Sequence, residues 1–191
     1  MARFSLASQS VTLTAVGDTA NMTDSGYAFF LQGGSSTMQL RVSEVQAGGE
    51  STSSATALMV FGRDSTVAAT SISGCTNANI DGSSVAPGTL AVFGRVSTTK
   101  PQRSATLGHL LQHSFNAFGG LVRWQARQGE EITVIGNTAS LGELSYSGHT
   151  GSSGILSAHC VYELVALAVG IPALAMIVKM VLGASAVGLV A

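Results

Sequence analysis

Charge is what this sequence has least of. Only 10% of its residues are Asp, Glu, Lys or Arg, against about 25% in ordinary soluble proteins. The apolar fraction, 46%, is close to normal, so the shortfall lies on the surface. A surface made mostly of Ser, Thr, Asn and Gly suits a protein surrounded by neighbours better than a freely diffusing enzyme. Basic clusters are also missing. Arg41, Arg63, Arg95, Arg103, Arg123 and Arg127 are scattered and the formal net charge is −1, which leaves no stripe for a nucleic acid backbone. Cysteine is nearly absent: Cys75 and Cys160 could pair but, so far apart in sequence, read rather as ordinary buried thiols, with the redox compartment left open. The N-terminal stretch has one Arg and no apolar core of signal length, so no secretory signal is expected. Catalytic motifs are lacking too: there is no Gly-x-Ser-x-Gly elbow, no phosphate loop ending in Lys-Ser/Thr and no strand–GxGxxG–helix unit. No cofactor and no enzymatic activity are expected.

What is present, from Met1 to Glu163, is a series of short apolar runs in a Ser/Thr/Gly background. Met38, Leu40 and Val42 alternate with Gln39, Arg41 and Ser43, as in a half-buried strand. Ile155, Ser157, His159 and Val161 alternate in the same way with Leu156, Ala158, Cys160 and Tyr162. Gly17-Asp18, Gly33-Gly34, Pro87-Gly88 and Gly136-Asn137 punctuate the runs. About ten strands with turns at this spacing predict a mainly β body, an antiparallel β-sandwich or jelly roll spanning 1–163.

A short repeat lies inside it. Leu58-Met-Val-Phe-Gly-Arg-Asp-Ser-Thr66 recurs as Leu90-Ala-Val-Phe-Gly-Arg-Val-Ser-Thr98. Two copies make no solenoid; they predict two similar strands, each with an inward Val/Phe pair and an outward Arg. Arg63 and Arg95 are then candidates for equivalent contacts to a partner subunit. The spacing of Leu107, Leu110, Leu111, Phe115 and Phe118 predicts one short helix over about 105–118, capped by Ser104 or Thr106 and ended by Gly119-Gly120. It would set His109 and His113 one turn apart. Without a zincin Glu or a third ligand these read as a helix's polar edge, and no metal site is expected.

Residues 164–191 are different in kind. Lys179 is the only charge in a run of aliphatic, Met, Gly, Ala, Ser and Pro residues, so a helix built from it has no face for water. It would be roughly 42 Å long, enough to cross a bilayer core of about 30 Å, although Pro172 would kink it and the usual flanking basic and aromatic belts are missing. The same residues also offer a self-association seam: Leu167, Ile171, Leu174, Val178 and Val181 follow alternating steps of four and three. A hydrophobic C-terminal helix, either membrane-associated or packed on protein, is the expectation.

The Val-Phe-Gly-Arg strands, Trp124-Gln-Ala-Arg-Gln-Gly-Glu-Glu131 and the closing Ser157-Ala-His-Cys-Val-Tyr-Glu163 give the body a texture that resembles bacteriophage virion proteins, particularly jelly-roll capsid decoration (cement) and vertex proteins. The resemblance implies a structural role in the virion: a homo-oligomer, a trimer in the first instance, decorating or stabilising a capsid shell beside other shell subunits, with 164–191 fixing it to a neighbour or a membrane. The alternative is a membrane-anchored β-sandwich that binds a ligand or receptor through the loops at Ser71–Gly88 and Ser147–Gly154.

Overall fold

The computed structural model describes residues 3–8, 10–13, 26–33, 38–65, 75–82, 91–94, 109–135, 143–150 and 154–166. Twelve strands run through them: β1 (Arg3–Ser8), β2 (Val11–Leu13), β3 (Gly26–Gly33), β4 (Met38–Glu50), β5 (Thr56–Arg63), β6 (Cys75–Asn79), β7 (Ala91–Gly94), β8 (His109–Asn116), β9 (Phe118–Gln125), β10 (Ile132–Ile135), β11 (Glu143–Thr150) and β12 (Gly154–Ala166). All pairings are antiparallel.

They form two sheets. In the first the order is β10-β4-β12-β1-β6, with β9 also pairing β4 and β2 also pairing β12; in the second it is β7-β3-β11-β5-β8. One hydrophobic core lies between them. Phe4, Leu6, Leu40, Val42, Val45, Cys160 and Tyr162 come from the first sheet, and Phe29, Leu31, Met59, Phe61, Leu144 and Tyr146 from the second. Tyr146 organises the second sheet's half, with its ring edge-on to Phe29 at 5.4 Å and to Phe61 at 5.8 Å between centroids. Phe4 stacks on Tyr162 at 5.5 Å. Offset and edge-to-face pairs of this kind suit the ring quadrupoles and add to the burial itself.

The alternation expected of β4 and β12 is present: Leu40 and Val42 face the core, as do Leu156, Ala158, Cys160 and Tyr162; on β9, Leu121 and Arg123 face out. Cys160 is fully buried. The turn at Arg127–Glu130 is also present, with Gly129 at φ 87° and the Glu130 amide donating to the Arg127 carbonyl.

The helix expected over 105–118 is absent from 109–118, while 104–108, with the cap candidates Ser104 and Thr106, lie outside the described residues. Residues 109–116 are strand β8, and Gly119-Gly120 lie inside β9 rather than ending a helix. The reason is a bulge. Phe61 pairs Leu111 but Gly62 pairs His109, so Leu110 is an extra residue in a period-two strand and turns alternation into apparent steps of three and four. The apolar run likewise begins one step too early for a separate tail. Strand β12 continues through Leu164, Val165 and Ala166, which pair Leu40, Gln39 and Met38. Those three residues therefore belong to the sheet, and 167–191 lies outside the described residues. Among the described residues no helix is long and apolar enough to cross a membrane. The loop expected over Ser71–Gly88 contains β6, and of the loop expected from Ser147, residues 147–150 belong to β11.

The two outer faces differ. On the first sheet Ser5, Ala7, Gln46, Gly48, Ser157 and His159 remain partly open to water. In the second, the side away from the core is largely buried as well, since Phe30, Val60, Asp64, Glu143, Ser145 and Ser147 are all fully covered there, although Thr56 and Leu58 at the start of β5 keep some exposure. Val60 and Phe61 are both buried, yet they point to opposite faces, as adjacent strand residues must. Arg63 shares the side of Phe61 and of its cross-strand neighbour Leu144, contrary to an outward Arg.

Candidate assembly surface

The two long sides of this molecule are built differently. On one side, β6 is added beyond β1 and β7 beyond β3, so each sheet gains an edge strand from the segment between β5 and β8. On the other side β8 closes the second sheet and β9, with β10, closes the first. The apolar residues that pack on the core while keeping some exposure are Ala55, Leu110, Leu111, Phe115, Val122, Trp124 and Ile132. Six of these seven sit on β8, β9 and β10, and Ala55 directly precedes β5. Among the described residues, then, the core is incompletely covered along one side.

A single residue joins the two sheets there. The chain leaves β8, passes through fully buried Ala117 and enters β9. The Ala117 amide donates to the Ala55 carbonyl at 2.8 Å, its carbonyl accepts from the Ser51 amide at 2.9 Å, and the Asn116 side chain accepts from the Phe118 amide at 2.9 Å. Asn116 Nδ2 donates to Ser54 Oγ at 2.8 Å. This crossing needs glycine beside it, because a Cβ at Gly49 would collide with the Ala117 carbonyl and one at Gly120 with the Asn116 carbonyl.

The crossing also sets the phase of the β5–β8 ladder. In an antiparallel pair, directly opposed residues alternate between bonded and non-bonded. With Ala117 bonded to Ala55, the bonded pairs are Phe115/Ala57, His113/Met59 and Leu111/Phe61. The backbone groups of Gln112 and Ser114 therefore point away from β5, along the open side.

Beside this edge the surface is apolar and nearly uncharged. Phe118 is 59% exposed and Leu121 71%, both large for single exposed hydrophobics. Leu121 rims a shallow depression of about 220 Å³ on the outer face of the first sheet, floored by Ala47, Gly48, Ser157 and Ala7. A second depression, about 430 Å³, lies between β5 and β8 and is lined by Thr56, Leu58, Gln112, Ser114 and Phe115.

No family model matches this chain, and no curated protein matches it either. Its surface is therefore read from its own chemistry. Of the nearby charges, Arg123 donates to Glu44 at 2.7 Å, Gln46 donates to the same carboxylate, and Glu50, opposite Phe118, accepts from the Ser10 hydroxyl. The bond from Arg123 holds the Glu44 carboxyl below its ordinary value. His113 faces inward and shares a hydrogen bond of 2.6 Å with the Tyr146 hydroxyl. Burial lowers the His113 pKa and raises that of Tyr146, which favours the neutral form of both.

Of the assembly residues singled out from sequence, only Arg63 is among the described residues. Arg63 is half-buried at the end of β5, with its pKa lowered by burial. Arg95, Leu167, Ile171, Leu174, Val178, Lys179 and Val181 lie outside the described residues. His109 is exposed while His113 faces the core, so the pair does not converge, and among the described residues no three His, Cys, Asp or Glu side chains gather as metal ligands would. The open side was missed in the sequence. Its signal was there, however: residues 104–122 contain no Asp, Glu, Lys or Arg.

Proposed function

We propose that this is a non-enzymatic structural protein of a virus particle, assembling in many copies to decorate or stabilise a capsid shell. The observation that carries the reading is the strand order. Without the added β6 and β7, the sheets reduce to β1-β12-β4-β9 and β3-β11-β5-β8, with the chain passing from sheet to sheet at β2→β3, β3→β4, β4→β5, β8→β9, β10→β11 and β11→β12. That is the connectivity of a jelly-roll sandwich, an architecture that recurs in viral capsid domains and also in lectins and cupins. Fold alone does not assign function. The sparse charge, the exposed Phe118 and Leu121 and the incompletely covered core along β8 and β9 support assembly among the uses of that fold. The apolar segment beyond Ala166 gives a further attachment, to a neighbouring subunit or to a membrane, and Arg63 and Arg95 remain candidate contacts in the same assembly.

The test is the solution state of the full chain, measured by sedimentation velocity across a range of concentrations, with negative-stain microscopy of the largest species. Closed oligomers or regular lattices are expected. A chain that stays monomeric throughout, and floats with liposomes only while residues 167–191 are present, would instead indicate the membrane-anchored binding module.

A further inference from the structure

The edge of β8 differs from most sheet edges in lacking the usual protection. Natural proteins guard a free edge with charged side chains, proline, short length or a bulge. Strand β8 is eight residues long, His-Leu-Leu-Gln-His-Ser-Phe-Asn, with no Asp, Glu, Lys, Arg or Pro. Its one bulge is at Leu110, which leaves Leu111–Asn116 regular. The N–H and C=O groups of Gln112 and Ser114 point off the sheet, and their side chains are neutral and exposed. Leu110, Leu111 and Phe115 are half-covered on the core side.

We propose that β8 pairs with β8 of a second copy, antiparallel about a twofold axis near Gln112–Ser114, so that the second sheets of two copies become one continuous sheet. An antiparallel edge is its own complement: donors and acceptors of Gln112 and Ser114 in one copy meet those of the other, as a twofold interface requires. The half-covered Leu110, Leu111 and Phe115 then gain cover from their symmetry mates. Charge selects this edge over its neighbour. Strand β9 carries Arg123 near its middle, and a twofold axis there would bring two guanidinium groups together, whereas β8 brings no like charges together. The inference deepens the assembly reading by naming a partner and a contact. It is compatible with a threefold contact elsewhere, and the two together would propagate subunits across a shell.

The experiment is amide hydrogen exchange on the full chain at several concentrations, alongside sedimentation velocity. Protection of the Gln112 and Ser114 amides should rise with concentration, slowing exchange about tenfold when nine-tenths of the chains are paired. Ser114→Pro removes an N–H that β5 does not use and should weaken association about thirtyfold, since twofold symmetry deletes two ladder bonds at once. Ser114→Lys adds the missing edge charge while keeping the amide and should act in the same direction. Oligomers whose Gln112 and Ser114 amides exchange at a concentration-independent rate would overturn the β8 pairing and leave the assembly reading standing. A folded Ser114→Pro or Ser114→Lys protein that associates like the parent would also overturn the pairing. A chain monomeric at every concentration would overturn both.

Discussion

The side bearing β6 and β7 and the side bearing β8 and β9 enclose the same core by different means. On the first, the chain spends the segment between β5 and β8 on extra edge strands. Phe4 and Tyr162 behind them are completely buried. On the second, the sheets end at β8 and β9, and Leu110, Leu111, Phe115, Val122 and Trp124 are only partly covered. A fold that closes one side with its own strands and leaves the other incomplete has a direction built into its surface. What is missing on the open side, a strand edge and apolar cover, is what another subunit can supply.

Substitutions on the two sides should therefore separate stability from association. Phe4→Ala removes a buried ring beside Tyr162 on the closed side, and should cost about 3–5 kcal/mol in urea unfolding with no change in the association constant of the folded fraction. Gly49→Ala should come next. Its methyl meets the Ala117 carbonyl, and overpacking against backbone costs about 1–3 kcal/mol; loss of the fixed crossing should also weaken association. Trp124→Ala, half-covered on the open side, should destabilise the isolated chain less than Phe4→Ala does while weakening assembly more. Equal effects of Phe4→Ala and Trp124→Ala on both measurements would erase the distinction between the sides.

Smaller effects sharpen it. The folded-state pKa of His113 is lowered from 6.5 by burial, so the unfolded chain takes up a proton before the folded one does. The contribution of neutral His113 is complete above the unfolded value and is lost as the pH falls below it. The unfolding midpoint should fall between pH 7.5 and pH values below 6 in the parent, and less steeply in His113→Gln, with the loss seen first as lower exchange protection, relative to the intrinsic rate, in β8. For Glu44 the folded pKa is lowered from 4.5, chiefly by the Arg123 bond, so its contribution is present above that value and fades as the pH falls. Arg123→Ala should raise the Glu44 pKa toward 4.5 in a carboxyl NMR titration and produce the smallest stability change of the series.

Much of the first sheet was legible in the sequence because its outer face meets water. Strands β4 and β12 alternate apolar with polar residues, and period-two patterning is the trace that a half-exposed strand leaves. In the second sheet the trace fades. Ala28, Phe29, Phe30 and Leu31 are all buried, so β3 reads as a plain apolar run, and the opposite directions of Val60 and Phe61 are hidden by burial on both faces. Strand β8 reads as a helix in the sequence because Leu110 interrupts its period. The end of β12 was merged with the apolar tail because Leu164-Val165-Ala166 looks the same in either setting. The open side was illegible for another reason: whether Leu121 or Phe118 is covered depends on which strand lies beside it, and that is decided by pairings such as Gly48 with Leu121.

Strand β12 lies in the middle of the first sheet, between β4 and β1, although it is the last strand in sequence among the described residues. Arg3 pairs Glu163 and Ala7 pairs His159, so β1 has to wait for a neighbour made more than 150 residues after it. Order of synthesis thus opposes order of pairing. Until Gly154–Ala166 has emerged, β4 and β1 have no strand to join them, and folding is held back by some of the most distant contacts the chain makes. Strand β8 is already complete by then, and its uncharged edge is available to any other chain nearby. The timing of β12 therefore sets how long nascent copies stay exposed to mispairing.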